Sequence, residues 1–346
     1  MHFMKAYRLT APKTAEIVDI EMPRPGPGEV LLKVTGAGVC HSDLHILHDE
    51  TWPLVPMTIG HEVSGEVAEL GDGVSGWSSG DQVLVYLCWG CGMCRTCASG
   101  LENACEKYGR SIVPGPGLGF QGCMAEYVVA PARFLVPLGS LDPVDAAPLT
   151  DAGLTPYHAI RIASDLLVPT ATAVVIGVGG LGHMAVQILT AMYGSRLIAV
   201  DLDTSKLEHA ASLGADETIV SDSHAADAIL DLTHGRGAQV VLDFVGAEPT
   251  VKLAADVISP YGRIVTVGLA GGTLPFAATA PPIGLPWGAG VVKPYGGTRA
   301  DLHDVIALAQ RGAISVTVER HPLDDAASVF ARLEAGQVTG RAVLVP

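Results

Sequence analysis

The chain of 346 residues is 49 % hydrophobic and 16 % charged, which suggests two domains with a sizeable core and fits a compact enzyme better than a disordered or tail-bearing protein. Acidic side chains outnumber basic ones by 36 to 21, and no basic cluster reverses the resulting formal charge of −15, so nucleic acid and anionic membranes are not expected partners. The first ten residues lack a charged-then-apolar signal pattern, no stretch has the length of a membrane span, and a reducing cytoplasm is the expected setting.

From Lys5 to about Pro148, short apolar runs broken by turn residues predict a mostly β domain. Val30–Val34, Val63–Val67 and Val83–Tyr86 read as strands, and the Pro23–Gly28 segment is a turn that no helix or central strand would tolerate. Cys40 and His61 are expected in strand-edge turns. A lone cysteine or histidine is more often a packed core residue. Here, however, Gly60-His61-Glu62 sets an imidazole beside a carboxylate, and Cys40 precedes the polar His41 and Ser42. A catalytic zinc needs three protein ligands and an open position, so a third donor must come from elsewhere. Asp151, at the expected domain junction, is the candidate.

Cys91, Cys94, Cys97 and Cys105 follow one another at intervals of two, two and seven intervening residues. Four thiolates so close in sequence can converge on one zinc ion, and a closed set of this kind holds structure without doing chemistry. A disulfide cluster or scattered buried thiols are the plainer alternatives. Consecutive Cys-x-x-Cys steps do not suit a disulfide framework in a long, otherwise cysteine-poor chain. Of the seven cysteines, Cys88 and Cys123 have no assigned partner.

After about Thr155 the rhythm becomes alternating strand and helix. Strands are predicted at Ala173–Ile176, Leu197–Val200, Glu217–Val220, Gln239–Phe244 and Arg263–Val267, and a sixth near Gly290–Lys293. Helices separate them at Leu181–Tyr193, Thr204–Leu213, Ala225–Thr233 and Thr250–Ile258. That alternation predicts a parallel, doubly wound sheet. Two further helices, Leu302–Gln310 and Ala326–Glu334, lead to a terminal strand, Arg341–Pro346, expected to return to the first domain. The division is therefore 1–154, completed by 294–346, around an inserted 155–293.

Gly177-Val-Gly179-Gly180-Leu181-Gly182 follows a strand and opens a helix. The first glycine permits a tight turn, the second lets a pyrophosphate approach the backbone, and the last lets helix and strand pack closely. The helix N-terminus offers N–H groups and a positive dipole end to phosphate. Asp201, ending the next strand, can accept hydrogen bonds from ribose hydroxyls and would repel a 2′-phosphate, so NAD is predicted over NADP. The alternative role of helix N-cap belongs more naturally to Asp203 or Thr204.

Together, Gly38-Val-Cys40-His-Ser-Asp43, Gly60-His61-Glu62, the four-cysteine lobe, Asp151-Ala-Gly-Leu-Thr-Pro-Tyr157 and the Gly177 loop give the chain its family likeness. Along nearly its whole length it resembles the medium-chain, zinc-dependent alcohol dehydrogenases, and it looks closest to bacterial NAD-dependent secondary-alcohol dehydrogenases that also reduce aryl ketones. The resemblance implies an α/β protein: a partly open, GroES-like β-barrel catalytic domain plus a Rossmann domain, with a cleft between them. It also implies catalytic zinc at Cys40, His61 and Asp151, with Glu62 close behind the metal and Asp43 orienting His61. Zinc would acidify the alcohol, whose hydride passes to the nicotinamide; Ser42 would take the proton and relay it through the cofactor ribose to His45. His41, Thr155, Lys206, Val245, Val267 and Arg341 match cofactor contacts, with a surface charge as the alternative for Arg341.

Two departures from the pattern stand out. Many members have cysteine where this chain has Asp151, a swap that keeps one anionic ligand. Gly296 falls where close relatives often have a bulky aromatic, which implies a wider substrate pocket if it lines one. The expected partner is a small alcohol or ketone, and the Gly290–Lys293 edge strand suggests a homodimer or homotetramer. Two rival readings are a zinc-free quinone or enoyl reductase of the same superfamily and a non-catalytic nucleotide-binding protein. The two ligand sets weigh against both.

Overall fold

A computed structural model describes residues 2–274 and 284–346 of the chain. They divide into two compact units: residues 1–154, 298–312 and 316–346 form the first, and 155–297 with 313–315 the second. The chain thus re-enters the first unit at Thr298 rather than at 294, where the Thr298 hydroxyl caps the helix Arg299–Gln310 by accepting from Asp301 N. Residues 313–315 go with the second unit because Gln187 exchanges two hydrogen bonds with the Ser315 backbone, both 2.9 Å.

In the first unit the long strand Glu29–Val39 organises the larger sheet. It pairs antiparallel with Glu62–Leu70 along its length, with Tyr127–Pro131 over its first half and with Arg341–Val345 over its last three residues. Gln82–Val85 and Leu135–Pro137 continue the sheet on one side, and Val318–Pro322 on the other. A smaller sheet joins Thr14–Glu21, Phe3–Ala11 and Met57–Thr58, and the Ala6–Ala125 bridge ties it to the segment leading into Tyr127–Pro131. Ala37, Val39, Val63 and Val343 are fully buried, so the sheet centre forms the core on which the site below is built. The terminal strand returns to this unit as the sequence predicts.

Among the described residues the second unit carries a six-stranded parallel sheet in the order Glu217–Val220, Arg196–Asp201, Thr172–Ile176, Ala238–Asp243, Ile258–Thr266, Gly290–Val292. Numbered along the chain this is 3-2-1-4-5-6, the Rossmann order, which binds ligands beyond the carboxyl ends of its strands. The register sets Ile176 against both Val200 and Asp243, so the Gly177 loop, Asp201 and Asp243 share that edge. Thr172–Ile176 is buried throughout, as a strand covered on both faces should be. The predicted strands and helices fall within three residues of the observed ones, except that Glu29–Val39 runs five residues beyond Val34 and Ile258–Thr266 starts five before Arg263. One correction concerns Cys40: it does not sit in a simple strand-edge turn but N-caps a helix, His41–His48. That helix carries three histidines and little amphipathic patterning, which hides it from a periodicity argument.

Candidate metal and dinucleotide sites

The strand Glu29–Val39 delivers Cys40 at the start of the helix His41–His48, and Asp43 closes that turn by accepting the Cys40 N–H at Oδ2, 3.0 Å. Its other oxygen, Oδ1, accepts from His61 Nδ1 at 3.1 Å. One carboxylate therefore fixes both segments and leaves His61 Nε2 as the free donor atom. Gly60 supplies the turn that aims His61: its φ is +99°, and a β-carbon there would lie 2.7 Å from the Met124 side chain.

Asp151 reaches the same point from the far end of the unit's first segment. Its Oδ2 lies 3.4 Å from Cys40 Sγ and 3.7 Å from His61 Nε2. Donor atoms of Cys40, His61, Glu62 and Asp151 all lie within 4.8 Å of one another. Behind them Arg341 Nη2 approaches Glu62 Oε1 at 2.7 Å and Asp151 Oδ2 at 3.2 Å. Arg341 is 2 % exposed, so the surface-charge alternative fails; a cation inside an apolar strand needs anions, and it finds two.

The field at this cluster favours a cation. Burial lowers the pKa of His61, yet Asp43, Asp151 and Cys40 together hold it well above the ordinary value. Burial pushes Glu62 up to about 8, with Arg341 opposing and Asp151 reinforcing. Two anions and one imidazole, converging where a positive charge is favoured, fit a zinc ion that keeps a fourth position open.

The sulfurs of the second set are also gathered. Cys91 and Cys97 Sγ are 4.0 Å apart and Cys94 and Cys105 Sγ 3.9 Å apart. Tetrahedral zinc with bonds of about 2.3 Å sets its sulfurs ~3.8 Å apart, so the donor set fits a closed zinc site. All seven cysteines are free thiols, and the disulfide alternative is excluded. Backbone N–H groups of Met93 and Cys94 point at Cys91 Sγ and lower its pKa; the Thr96 hydroxyl and the Cys97 N–H bring Cys94 down to about 6. Cys88 is buried outside this set, and Cys123 Sγ lies 3.4 Å from the Glu62 carbonyl oxygen.

In the second unit, Gly177 has a φ of +85°, and a β-carbon on Gly182 would stand 1.9 Å from Gly177 O. A β-carbon on Gly179 would meet no atom of the described residues within 4 Å. The first and last glycines are thus demanded by the turn and the helix packing, while Gly179 opens free space at the backbone, as a pyrophosphate requires. Among the described residues no side chain caps the N-terminus of the helix Gly182–Met192. Asp201 accepts from Val178 N at 2.7 Å and Asp203 N at 3.0 Å, tying the acidic strand end to the loop. Asp203 caps the next helix by accepting from Ser205 N, 2.8 Å. Val245 N donates to Asp243 Oδ1 at 2.9 Å, and Val267 N to Asp243 O at 2.8 Å.

The remaining residues named from sequence lie where the helices put them. Ser42 Oγ is 3.7 Å from Cys40 Sγ; His41 and His45 are exposed on the same helix. Thr155 is buried, and Lys206 sits half-buried on Thr204–Ser212. Sequence reasoning missed Asp243, a fully buried acid that also accepts from Gly246 N and the Thr250 hydroxyl. An acid ending an otherwise apolar strand was the available signal.

Two family models match: "Alcohol dehydrogenase GroES-like domain" over residues 26–140 and "Zinc-binding dehydrogenase" over residues 180–311. An NAD-dependent alcohol dehydrogenase of Sulfurisphaera tokodaii is 36 % identical, covering 99 % of this chain and 100 % of its own. The crystal structure of an alcohol dehydrogenase from the archaeon Aeropyrum pernix superposes with a TM-score of 0.91 at 36 % identity, covering 99 % and 100 % of the two chains. An acetophenone reductase of Geotrichum candidum, solved with NAD, matches at a TM-score of 0.87 and 32 % identity, covering 100 % and 98 %. The chain belongs to the zinc-dependent, medium-chain alcohol dehydrogenase family, oxidoreductases that interconvert alcohols and carbonyl compounds using zinc and a nicotinamide dinucleotide.

Proposed function

We propose that the chain interconverts secondary alcohols and ketones, aryl ketones among them, with NAD as hydride carrier. The observation that carries this reading is the convergence of Cys40 Sγ, at 3.4 Å, and His61 Nε2, at 3.7 Å, on Asp151 Oδ2. NAD rests on the Asp201 carboxylate, which ends its strand beside the glycine loop with Leu202, not arginine, following. Likeness to an acetophenone reductase supports the aryl ketone class.

In this reading zinc supplies a Lewis acid that acidifies the alcohol, and NAD supplies the hydride acceptor. Cys40, His61 and Asp151 hold the metal, and Asp43 keeps the His61 tautomer. Glu62 and Arg341 face each other behind the donors, and Arg341 also reaches Asp151, so the buried guanidinium keeps two acceptors. Ser42, beside Cys40, accepts the substrate proton, and the exposed His45 releases it to solvent. The Gly177–Gly182 loop and Asp201 hold the dinucleotide, with His41, Thr155, Lys206, Val245, Val267 and Arg341 as further contacts. The four-cysteine set holds the second zinc.

A second copy of the chain is the proposed partner. The outer edge of Gly290–Val292 carries no strand among the described residues, and near it Tyr261 is 76 % and Trp287 65 % exposed. Sedimentation at micromolar concentration would return a dimer or tetramer. Seven free thiols support a reducing, cytoplasmic setting.

The deciding experiment pairs a metal count with NADH oxidation on a ketone panel. About two zinc ions per chain are expected, with turnover lost in Cys40→Ser. Enone reduction by a zinc-free protein would select the quinone-reductase alternative, and bound dinucleotide without turnover on any substrate would select the non-catalytic one.

A further inference from the structure

Gly38 stands in the strand Glu29–Val39 directly opposite Glu62 on one side and Val343 on the other. It is not among the glycines with a left-handed backbone, so its conformation is open to any residue. The space is not. A β-carbon built there would lie 1.8 Å from Glu62 Oε2, 2.7 Å from Glu62 Cβ and 2.8 Å from Glu62 Cδ. All three nearest atoms belong to that one side chain. Nearby glycines differ: at Gly65 the nearest atom is the Lys33 carbonyl oxygen, 2.9 Å away, so backbone crowding explains it.

The Glu62 side chain therefore folds back across the sheet and rests on the Cα of Gly38. From that seat Oε1 reaches Arg341 at 2.7 Å, while the carboxylate stays fully buried. A methyl group at position 38 would push the carboxylate away by roughly 1.5 Å or more before ordinary van der Waals contact was restored. The donor atoms of Cys40, His61 and Asp151 lie within 4.8 Å of those of Glu62, so little space is neutral. A displaced Glu62 either loses Arg341, leaving the buried guanidinium with Asp151 alone, or enters the donor set and closes the fourth position.

We propose that Gly38 is a positioning residue: its missing side chain is the seat that keeps Glu62 paired with Arg341 and out of the Cys40, His61 and Asp151 donor set. The zinc arm of the test rests on the proposed role of those three residues, whereas its stability arm does not.

The experiment introduces Gly38→Ala into the full-length protein and into a Glu62→Ala background, with Gly65→Ala as the comparison. Thermal midpoints of chelated and zinc-loaded protein and the rate of zinc transfer to a chromogenic chelator are read for each. In the parent, Gly38→Ala is expected to lower both midpoints and to change the transfer rate of one zinc by about tenfold or more. In the Glu62→Ala background it should change neither, because the obstructed atoms are gone. Gly65→Ala should lower the midpoint equally in both. If Glu62→Ala alone does not fold, Glu62→Ala/Arg341→Met replaces it. Should Gly38→Ala alone fail to fold, folding of the combined variant still supports the seat. Equal losses in both backgrounds, or no loss in the parent, would overturn it. A parent with only the four-cysteine zinc would refute the metal-site assignment, while the midpoints still decide the seat.

Discussion

Asp43 and His61 meet at 3.1 Å with both side chains shut away from solvent, and the same carboxylate holds the Cys40 turn through its second oxygen. Two donors distant in sequence are thereby fixed by one acid. Asp43→Asn keeps the size and loses the charge. Zinc affinity at this site is expected to fall about 10–100-fold, while the four-cysteine zinc is retained. Competition with a graded chelator series measures it; an unchanged affinity would mean Asp43 is a helix cap and nothing more.

The pH dependence follows from two groups. Burial holds Glu62 at about 8, and His61 lies well above its ordinary value because Asp43, Asp151 and Cys40 outweigh burial. Both bind protons more tightly in the folded chain, so their contribution is complete below about pH 4 for Glu62 and about pH 6 for His61. It is lost as pH rises through the folded values. Zinc replaces the His61 proton, so the gap in midpoint between zinc-loaded and chelated protein should widen as pH rises above about 6. Glu62→Gln should flatten the slope of the chelated protein across about pH 5 to 8. A gap constant with pH would contradict this account.

Cys94→Ser should remove one zinc ion and lower the thermal midpoint, with turnover per remaining folded molecule largely kept. Loss of Cys94 leaves three sulfurs around an ion that needs four. Retention of both zinc ions would show that the lobe closes in another way.

Asp201 has two jobs, and the obvious variant confuses them. Its carboxylate holds Val178 N and Asp203 N as well as facing the proposed ribose position. Asp201→Gly with Leu202→Arg should raise NADP use relative to NAD, at the cost of loop order. Asp201→Asn keeps an acceptor and removes the charge, so it should weaken the preference for NAD with less loss of overall activity. Specificity constants for both cofactors test this; a parent that already favours NADP would refute the assignment.

Gly296 has a φ of +52°, in the left-handed region, and this accounts for a glycine whatever the pocket width. Any side chain there carries about 1–2 kcal/mol of backbone strain. The test of a widened pocket therefore needs Gly296→Ala beside Gly296→Trp. The tryptophan variant is expected to favour propanone over acetophenone more strongly than the alanine variant does, with zinc content unchanged. Equal ratios in the two variants would assign Gly296 to the backbone alone.

Much of this architecture was legible because strand and helix rhythms are local. The Rossmann strands end within a residue or two of expectation, and the glycine loop announces itself between a buried strand and a helix. The four-cysteine lobe is equally local. The helix His41–His48 escaped notice because its histidines give no clear apolar stripe. The Arg341–Glu62 pair and the vacancy at Gly38 were hidden for a different reason. They depend on register between strands far apart in the chain, and neither composition nor periodicity records which residues a sheet places opposite one another.

The strand Arg341–Val345 lies inside the larger sheet, between Glu29–Val39 and Val318–Pro322. On the ribosome, the segments bearing Cys40, His61, Glu62 and Asp151 emerge long before it, and the whole inserted unit is synthesised in between. Domains tend to fold as units during synthesis, the earliest first. The nascent first unit must therefore wait, its sheet edge open and Glu62 without Arg341, until that strand arrives. A chain stalled or clipped just before Arg341 would hold every proposed zinc donor and both sets of cysteine and glycine motifs, yet lack the strand that completes their framework. Quality control in the cell would meet that species as an exposed sheet edge.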